Sequence, residues 1–447
     1  MLSAFKASQQ GQALPLGLVL LVAIAATLFF MFNSGQLVQE KIRLTNTADA
    51  VAYSAGVYEA RVLNYDAYTN RAIVANEIAI GQAVGLSSWA KYMGTSAATI
   101  GPYLSLIPYI GPYLQSLMNY IETIMDYVTL ALSYVVPLHD AAIQALMASQ
   151  FAVHGPADAT ILLTRNKVMD EVAKKNDPDA QVDLIPLFDN FLGFTQRYSS
   201  QPERVRMGQL VSDGRDAFLK SRNWGFGFAP LCTGVKLEKR GSSELIDLTE
   251  GWKSMDTLSA HKSSIRRFRC RRSETPLGYG TAFSKDNLGD STYSYAGSRS
   301  RNPRASNYAD GSGGIANGYD PAPYTIGGGA IPKFYELSES ALQQEDPRTQ
   351  IAIRVTKTSG KQRYSGGDSI IKPNGRLDLY QGQHASGQSA SIARAEVYFE
   401  RPDGANPLFP GKSELGSLFN PYWQVRLVPV SAGDRAIAQG LQGASLP

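Results

Sequence analysis

The sequence predicts an α+β protein in which a single N-terminal transmembrane helix continues into a long helical stalk and bundle and is followed by a β-rich head domain. Three observations predict this class. An uncharged apolar run lies near the N-terminus, and a proline-free helical stretch extends from it to Pro102. Beyond Asn223 the helical period gives way to short runs that alternate polar and apolar residues.

Charge separates the same regions. The first 150 residues contain 6 Lys/Arg and 8 Asp/Glu, whereas the other 297 contain 37 and 31. The whole-chain value of 18% charged residues therefore describes neither part. A dispersed net charge of +4 lacks the concentrated basic face of a nucleic-acid-binding protein, so no nucleic acid partner is expected. Two cysteines are too few for a Cys-rich zinc module or a disulfide-dense scaffold.

Residues 14–32 form the predicted transmembrane helix. No charged residue occurs between Lys6 and Glu40, and about 20 apolar residues suffice to cross a bilayer. A cleaved signal peptide is the alternative, but it requires small residues behind its apolar core, and this run ends in Phe29-Phe-Met-Phe32. We therefore predict a retained single-pass anchor, preceded by a cytoplasmic tail at residues 1–13.

Residues 33–222 are predicted to form the helical stalk and bundle. Small and apolar residues recur there in a heptad-like stripe, which includes Leu44, Ala48, Val51 and Ala55. The first helix is expected to run to about Met93. Its Ala-rich stripe allows a partner to approach closely. That partner is either the protein's own next helices, which we favour, or another subunit in a coiled coil.

The segment that leaves the membrane carries a more specific pattern. Asn33-Ser-Gly35 is followed by Leu44-Thr-Asn-Thr-Ala-Asp-Ala-Val-Ala-Tyr-Ser-Ala55. Residues 11–60 thereby resemble the N-terminal region of the TadE/TadG-like family of Flp (Tad) pilus-assembly proteins. The positions that carry the resemblance are Arg43, Leu44, Asn46, Ala48, Asp49, Ala50 and Ala52.

The resemblance implies a membrane-anchored structural component of the bacterial envelope. Asn33 and Gly35 are the expected membrane exit, where many family members have an Asp in place of Asn33. The expected location is the bacterial inner membrane, with a cytoplasmic N-terminus and most of the chain in the periplasm. The candidate helix-interface residues are Leu44, Asn46, Ala48, Asp49, Val51, Ala52 and Ala55.

Two features of related proteins are not carried over. Prepilin-like members are cleaved after a Gly and have a Glu five residues beyond, whereas Leu16 stands five residues after Gly11. Members with a von Willebrand A domain have an Asp-x-Ser-x-Ser metal motif after a buried strand. The nearest string here, Asp290–Ser294, follows a polar turn-like segment, so no metal and no cofactor are predicted.

A second apolar region extends over 30 uncharged residues from Tyr92 to Ile121 and contains Gly101-Pro-Tyr-Leu104 and Gly111-Pro-Tyr-Leu114. Its prolines argue against a plain second transmembrane helix. We favour an apolar helical hairpin at residues 95–151 that folds back on the stalk. A membrane-surface or re-entrant element and an exposed partner-binding patch remain alternatives.

Residues 223–447 are predicted to form the β-rich extracytoplasmic domain. The predicted strands are Gly234–Lys239, Ile351–Lys357, Ala393–Glu400 and Trp423–Pro429, with turns at Pro373–Gly375 and Pro402–Gly404. Residues 286–329 have almost no aliphatic side chains and are predicted to be a flexible loop.

Cys232 and Cys270 are the candidate disulfide, since an oxidising compartment favours a bridge; two free thiols are the alternative. Cys270 lies in the densest charge run, a candidate basic patch. If the run were one strand, Arg267, Arg269 and Arg271 would form a basic face. That face would bind an anionic partner or be a solvated edge strand, which we favour. The residues of the patch are Arg266, Arg267, Arg269, Arg271 and Arg272.

No enzyme motif occurs. The histidines at 139, 154, 261 and 384 form no metal-ligand spacing, and neither a phosphate loop nor Gly-x-Ser-x-Gly is present. We therefore expect a non-enzymatic, membrane-anchored component of Flp/Tad-type pilus assembly or secretion. Its expected partners are the membrane, other pilus-assembly or envelope proteins and, through the stalk, a second copy of itself. The alternative is an envelope-anchored protein that binds, and could hydrolyse, glycan or anionic lipid.

Overall fold

A computed structural model describes residues 13–184, 189–228, 232–266, 269–285, 288–289, 292–311, 331–363, 388–401 and 414–441. The chain divides into two compact units. The first comprises Met1–Tyr65, Val153–Thr195 and Leu337–Pro447, and the second comprises Asp66–Ala152 and Gln196–Glu336. The predicted boundary between residues 222 and 223 falls inside the second unit. Each unit combines helices from the first half of the chain with strands from the second.

The predicted α+β class is confirmed. The helices are α1 (Ala13–Leu104), α2 (Gly111–His154), α3 (Ala159–Asn176), α4 (Gln201–Asp213), α5 (Ala217–Lys220), α6 (Ser298–Arg301), α7 (Pro303–Gly311), α8 (Glu339–Leu342) and α9 (Ala432–Leu441). The strands are β1 (Gln181–Leu184), β2 (Thr195–Tyr198), β3 (Trp224–Phe228), β4 (Gly234–Ile246), β5 (Gly251–Arg266), β6 (Arg269–Phe283), β7 (Phe334–Leu337), β8 (Thr349–Thr358), β9 (Gln388–Phe399) and β10 (Trp423–Val428).

Helix α1 begins in the apolar run and continues to Leu104, eleven residues beyond the predicted end near Met93. Its most apolar 18-residue window has a mean hydropathy of 2.5 and contains no buried residue, which suits a membrane-spanning segment. Gly111–Asn176 also contains a window apolar enough to cross a membrane, with a mean hydropathy of 1.3, but 17% of that window is buried. The predicted tail before α1 lies almost wholly outside the described residues.

The first unit is built on an antiparallel sheet in the order β1-β8-β9-β10. The period-two pattern of β8 decides which residues face each layer. Ile351, Ile353 and Val355 pack with residues of α1 and α3, whereas Ala352 packs with Ala438 of α9. The predicted strands in this sheet are confirmed, and both predicted turns lie outside the described residues.

A buried ion triad also joins helices of the first unit. The Arg165 guanidinium donates to Glu59 at 2.7 Å and to both carboxylate oxygens of Asp189. Burial raises the pKa of Glu59 to about 7, although the Arg165 cation opposes the rise. A buried arginine without these acids would be strongly unfavourable, so the triad fixes α3 against α1.

The second unit contains the predicted helical hairpin. Helix α2 lies antiparallel to α1, and the residues that meet show the register: Gly101 faces Met118, and Gly94 faces Met125. Farther from the turn, Asn76 bonds His139 at 2.7 Å. The two helices approach closely at Gly101, where an added Cβ would lie 3.2 Å from Met118 Cβ. Helix α2 passes through Pro137 without ending.

The sheet of the second unit has the order β3-β4-β5-β6, and β6 lies directly on the backbone of α1. A Cβ at Gly280 would come within 2.4 Å of the Ser88 carbonyl oxygen. The Thr95 hydroxyl donates to the Tyr279 carbonyl at 2.6 Å. Glycine is therefore required where this strand crosses the helix.

A buried charge cluster centred on Asp256 completes the second unit. Arg222 donates two hydrogen bonds of 2.9 Å to its carboxylate, Lys239 forms an ion pair with it, and Ser88 of α1 donates at 2.8 Å. Burial alone would raise the pKa of Asp256, but the two cations outweigh burial and lower it. The carboxylate thus ties α1 to β4 and β5.

The prediction that residues 286–329 are a loop is wrong for the described part, because α6 and α7 lie within it. Ala309 and Tyr295 pack against Met255 of β5. The Asn302 amide donates to the Glu238 carbonyl at 2.9 Å. Small and aromatic residues supply the packing here, so the scarcity of aliphatic residues wrongly indicated that this segment has no regular structure.

Glu77 of α1 and Asp140 of α2 are buried carboxylic acids in the second unit. Burial raises the pKa of Glu77 to about 8, and the nearby Asp140 carboxylate adds to the rise. Because the folded protein favours protonated Glu77, its contribution to folding stability is fully present below the ordinary pKa of 4.5. This contribution is lost as pH rises through about 8.

Glu77→Gln is therefore expected to stabilise the protein increasingly between pH 5 and pH 9. The expected gain is on the order of 2–4 kcal/mol at pH 8, because a neutral amide avoids ionisation in the interior. Thermal unfolding of the detergent-solubilised chain, followed by circular dichroism across this pH range, measures the effect. Glu171→Gln, which changes an exposed acid of α3, is the control and should alter the pH profile little. Equal profiles for wild type and Glu77→Gln would contradict the assignment.

Candidate functional site

The segment of α1 that follows the apolar run contains the predicted interface, and the structure divides that interface into two sets. Five of its residues are at least 98% buried inside the first unit: Leu44, Ala48, Val51, Ala52 and Ala55. Asn46 is exposed and Asp49 is half-buried. Partial burial raises the pKa of the Asp49 carboxyl group. The seven residues therefore do not form one surface.

The buried set holds the protein's own sheet. Its members share a core with Met169 and Ala173 of α3 and with Ile353 of β8. A Cβ at Gly56, one residue beyond the predicted set, would lie 2.5 Å from a methyl group of Val425 in β10. The stripe is thus filled within the chain, by strands and α3 rather than by the next helix alone.

The opposite side of the same segment remains exposed. Val38, Ile42 and Tyr53 have exposed fractions of 56%, 55% and 46%, and Asn46 lies between them. Their spacing of four, four and seven residues places them on one helix face. We name these four residues the juxtamembrane ridge. Asn46 was among the predicted interface residues, whereas the three apolar residues were not, because they lie outside the more regular Ala-rich stripe.

The two predicted membrane-exit residues differ in environment. Asn33 is fully buried, whereas Gly35 is exposed. A Cβ at position 35 would meet no atom within 4 Å, so close packing does not require glycine there. Both lie inside the uninterrupted α1, so the predicted exit is helical.

A buried ion cluster attaches β8 to the juxtamembrane segment. Lys357 Nζ donates to Glu40 at 3.0 Å and to Asp177 at 2.9 Å. Each of the three side chains is at most 9% exposed. Arg43 adds a 2.9 Å hydrogen bond to the Asn176 carbonyl. Arg43 also lies 3.7 Å from Asp177 and Arg363 lies 4.0 Å from Glu40, but Lys357 is the nearer cation for both carboxylates.

A cavity of about 400 Å³ lies beside this cluster. Leu37, Val38 and Leu44 provide apolar walls, and Lys41 lies at the edge, where its ammonium group donates to the Ala390 carbonyl at 2.6 Å. The lining also includes Glu40, Lys357, Gln362 and Ser389, so the cavity combines apolar surface with charged and polar groups. Within the described parts of the chain, no group of three or more His, Cys, Asp or Glu residues is placed to hold a metal ion.

The second unit contains the predicted disulfide, with Cys232 and Cys270 bonded and their Cα atoms 5.6 Å apart. The basic patch does not lie in one strand, the arrangement considered from the sequence, because β5 ends at Arg266, β6 begins at Arg269 and those two residues pair. The patch belongs to two antiparallel strands. Arg267 lies outside the described residues. Arg269, Arg271 and Arg272 are exposed.

Edge strand β3 carries a feature that sequence inspection missed. Trp224, Phe226 and Phe228 are exposed by 47%, 76% and 77%. They alternate with glycine, so all three lie on one face of the sheet. The pairing register places Arg271 on this face as well. The Trp-Gly-Phe-Gly-Phe alternation was the available signal.

Comparison with known proteins agrees with the resemblance found at the membrane exit. Residues 11–60 match the family described as putative Flp pilus-assembly TadE/G-like. The match covers the apolar run, the juxtamembrane ridge and the buried stripe, and it supports a role related to the Flp/Tad pilus. No curated protein and no solved structure matches the chain.

Lys357→Met is expected to destabilise the first unit by about 3–5 kcal/mol, because it leaves Glu40 and Asp177 buried without their ammonium partner. Lys361→Met is the matched control. Its ammonium is 59% exposed and lies 3.9 Å from an exposed Asp179, so the expected change is below about 0.5 kcal/mol. Chemical denaturation of the detergent-solubilised variants measures both. Similar losses for the two would show that the buried cluster has no special role.

Proposed function

We propose that the protein is a non-enzymatic, single-pass membrane component of Flp/Tad-type pilus assembly or secretion, which acts as a scaffold. The match of residues 11–60 to the TadE/G-like family carries this proposal. The apolar window at the start of α1, which contains no buried residue, supports membrane anchoring. A scaffold acts through surfaces that bind partners, so the proposal requires such a surface near the anchor.

The juxtamembrane ridge is the proposed partner surface. The ridge follows the predicted membrane anchor on the same helix. Its three apolar residues are exposed, and the Asn46 amide lies between them. Exposed apolar side chains supply burial on binding, and a single polar side chain can fix the register of a helical partner. The buried stripe cannot serve this purpose, because the sheet of the first unit already occupies it.

The proposed location is the inner membrane, with the N-terminus in the cytoplasm and most of the chain in the periplasm. The Cys232–Cys270 disulfide supports this orientation, because structural disulfides persist in the bacterial periplasm and are rare in the cytosol. Positive charges flank both sides of the span and distinguish the orientations poorly, since Lys6 precedes it and Lys41 and Arg43 follow it.

Substitution in the ridge tests the proposal. Ile42→Glu with Tyr53→Glu is expected to reduce co-purification of other pilus-assembly proteins and surface piliation at least about tenfold, because two charges would enter the contact. Tyr68→Glu is the matched control, since Tyr68 is 64% exposed on α1 but lies outside residues 11–60. Quantitative mass spectrometry after detergent extraction measures the partners.

The variants should first be shown to accumulate in the membrane and to unfold at the wild-type temperature. Normal piliation and unchanged partner recovery in the double variant would then reject the ridge as the docking surface. Loss of both in the Tyr68→Glu control would show that the effect is not specific to the ridge.

A second candidate function is the binding of an anionic glycan or lipid by the second unit. The observation that favours it is the shared face of the β3 aromatic residues and Arg271. Aromatic rings stack on sugar rings or enter the lipid interface, and arginine binds phosphate or carboxylate.

Phe226→Ser with Arg271→Ser is expected to weaken binding of the full chain in nanodiscs to anionic vesicles or to purified envelope polysaccharide about tenfold. Tyr308→Ser with Arg304→Ser, two exposed positions on α7, is the control. Sedimentation with vesicles and pull-down with polysaccharide separate the two ligand classes. Equal binding by wild type and the β3 variant in both assays would exclude this face.

A further inference from the structure

The solvent-facing side of α2 carries a continuous heptad pattern. Starting at Tyr113, exposed residues recur at alternating steps of four and three over almost the whole helix. They are Tyr113, Leu117, Tyr120, Ile124, Tyr127, Ala131, Tyr134, Leu138, Ala141, Ala145, Ala148 and Ala152. The seven large members are between 40% and 77% exposed. We name this set the α2 seam.

The seam is distinct from the face that holds the hairpin together. Thr129, Ser133 and Val136 lie on the other side of α2 and are buried, and Met118 and Met125 contact α1. Helix α2 therefore has one face satisfied within the second unit and a second apolar face with no covering among the described residues. A period of 3.5 residues sustained over more than five heptads is typical of coiled-coil seams.

Charge around the seam permits self-association. The helix carries three acids and no lysine or arginine: Glu122, Asp126 and Asp140. None occupies a seam position or the position directly flanking it in the heptad. Two copies of α2 can therefore approach without bringing like charges into the contact. The lack of basic residues does not suit an anionic membrane surface, for which amphipathic helices typically carry Lys or Arg.

The size of the seam is sufficient for a dimer. Tyr113 to Ala152 spans roughly 58 Å of helix, and a stripe about 10 Å wide gives on the order of 600 Å² for each partner. The total of about 1,200 Å² reaches the lower limit for stable protein interfaces. Leaving this area exposed would be unusual for a surface with no binding function.

We propose that the α2 seam pairs with the α2 seam of a second copy of this chain to form a two-stranded coiled coil. This surface differs from the juxtamembrane ridge, so the inference does not depend on the proposed pilus role.

Cysteine cross-linking in native membranes tests the pairing without requiring purification. Ala131→Cys places one thiol near the centre of the seam, and the two native cysteines are already bonded to each other. Mild oxidation is expected to give a covalent homodimer. Asp126→Cys, an exposed position on the same helix but off the seam, is the control and should remain mainly monomeric. Equal cross-linking at both positions, or none at Ala131→Cys, would overturn the proposal.

Tagged copies carrying Leu117→Cys and Ala148→Cys separately determine the order of the strands. Antiparallel pairing gives mixed dimers between the two variants, whereas parallel pairing gives self-linked dimers of each. Either product supports pairing through the seam. Absence of both, together with a monomeric wild type, would refute the pairing.

A non-covalent measurement provides an independent check. Tyr127→Glu with Tyr134→Glu is expected to weaken dimerisation of the full chain in detergent by at least about 100-fold, since charges would enter an apolar seam. Asn119→Glu, at an exposed position off the seam, should leave the dissociation constant within about threefold of wild type. Sedimentation velocity measures the dimer, and circular dichroism verifies that each variant is folded. A wild type that is monomeric at micromolar concentration, or that dimerises equally with both charges in the seam, would overturn the proposal.

Discussion

Close approach of other elements to α1 is the constraint on which both units depend. In the first unit, Ala48, Ala52 and Ala55 are fully buried in the core that contains β8 and β9. In the second, Gly280 lets β6 contact the helix backbone at Ser88. Alanine on the helix and glycine on the strand both allow this close approach, since a larger side chain at either position would collide with the neighbouring element. A single helix can therefore form part of two cores whose remaining members lie far away in sequence.

Packing of small residues does not by itself fix how a sheet is positioned along a helix, because alanines at several heights offer similar surfaces. Buried charges supply the missing specificity. Glu40 and Glu59 of α1 reach Lys357 and Arg165, respectively, and Ser88 reaches Asp256. Displacement of α1 by one helical turn would leave Glu40 and Glu59 without their buried cations and Asp256 without the Ser88 hydrogen bond. Such pairs add little net stability compared with apolar residues, but their disruption is strongly unfavourable, so they select one register.

Sequence patterns predicted elements better than their partners. Period two identified β8, β9 and β10, because each has a face turned towards a core. The Ala-rich stripe correctly indicated close packing, yet a stripe of small residues accommodates a sheet as readily as a helix, and its partners begin more than one hundred residues later. The run from Arg266 to Arg272 contains no Gly, Pro, Asn or Asp, so no turn signal in the sequence showed that two strands share the basic patch. Helix α7 was missed because alanine and tyrosine, rather than aliphatic residues, pack it.

The same reasoning separates internal from external surfaces on long helices. A helix can present two apolar faces, and composition alone does not show which one the chain itself covers. On α1 the more regular stripe is internal, and the less regular ridge of Val38, Ile42 and Tyr53 is exposed. On α2 the relation is reversed, because the regular heptad faces solvent and the internal face mixes methionine with polar residues. Regular spacing therefore indicates that a helix has a partner, whereas only the fold shows whether that partner belongs to the same chain.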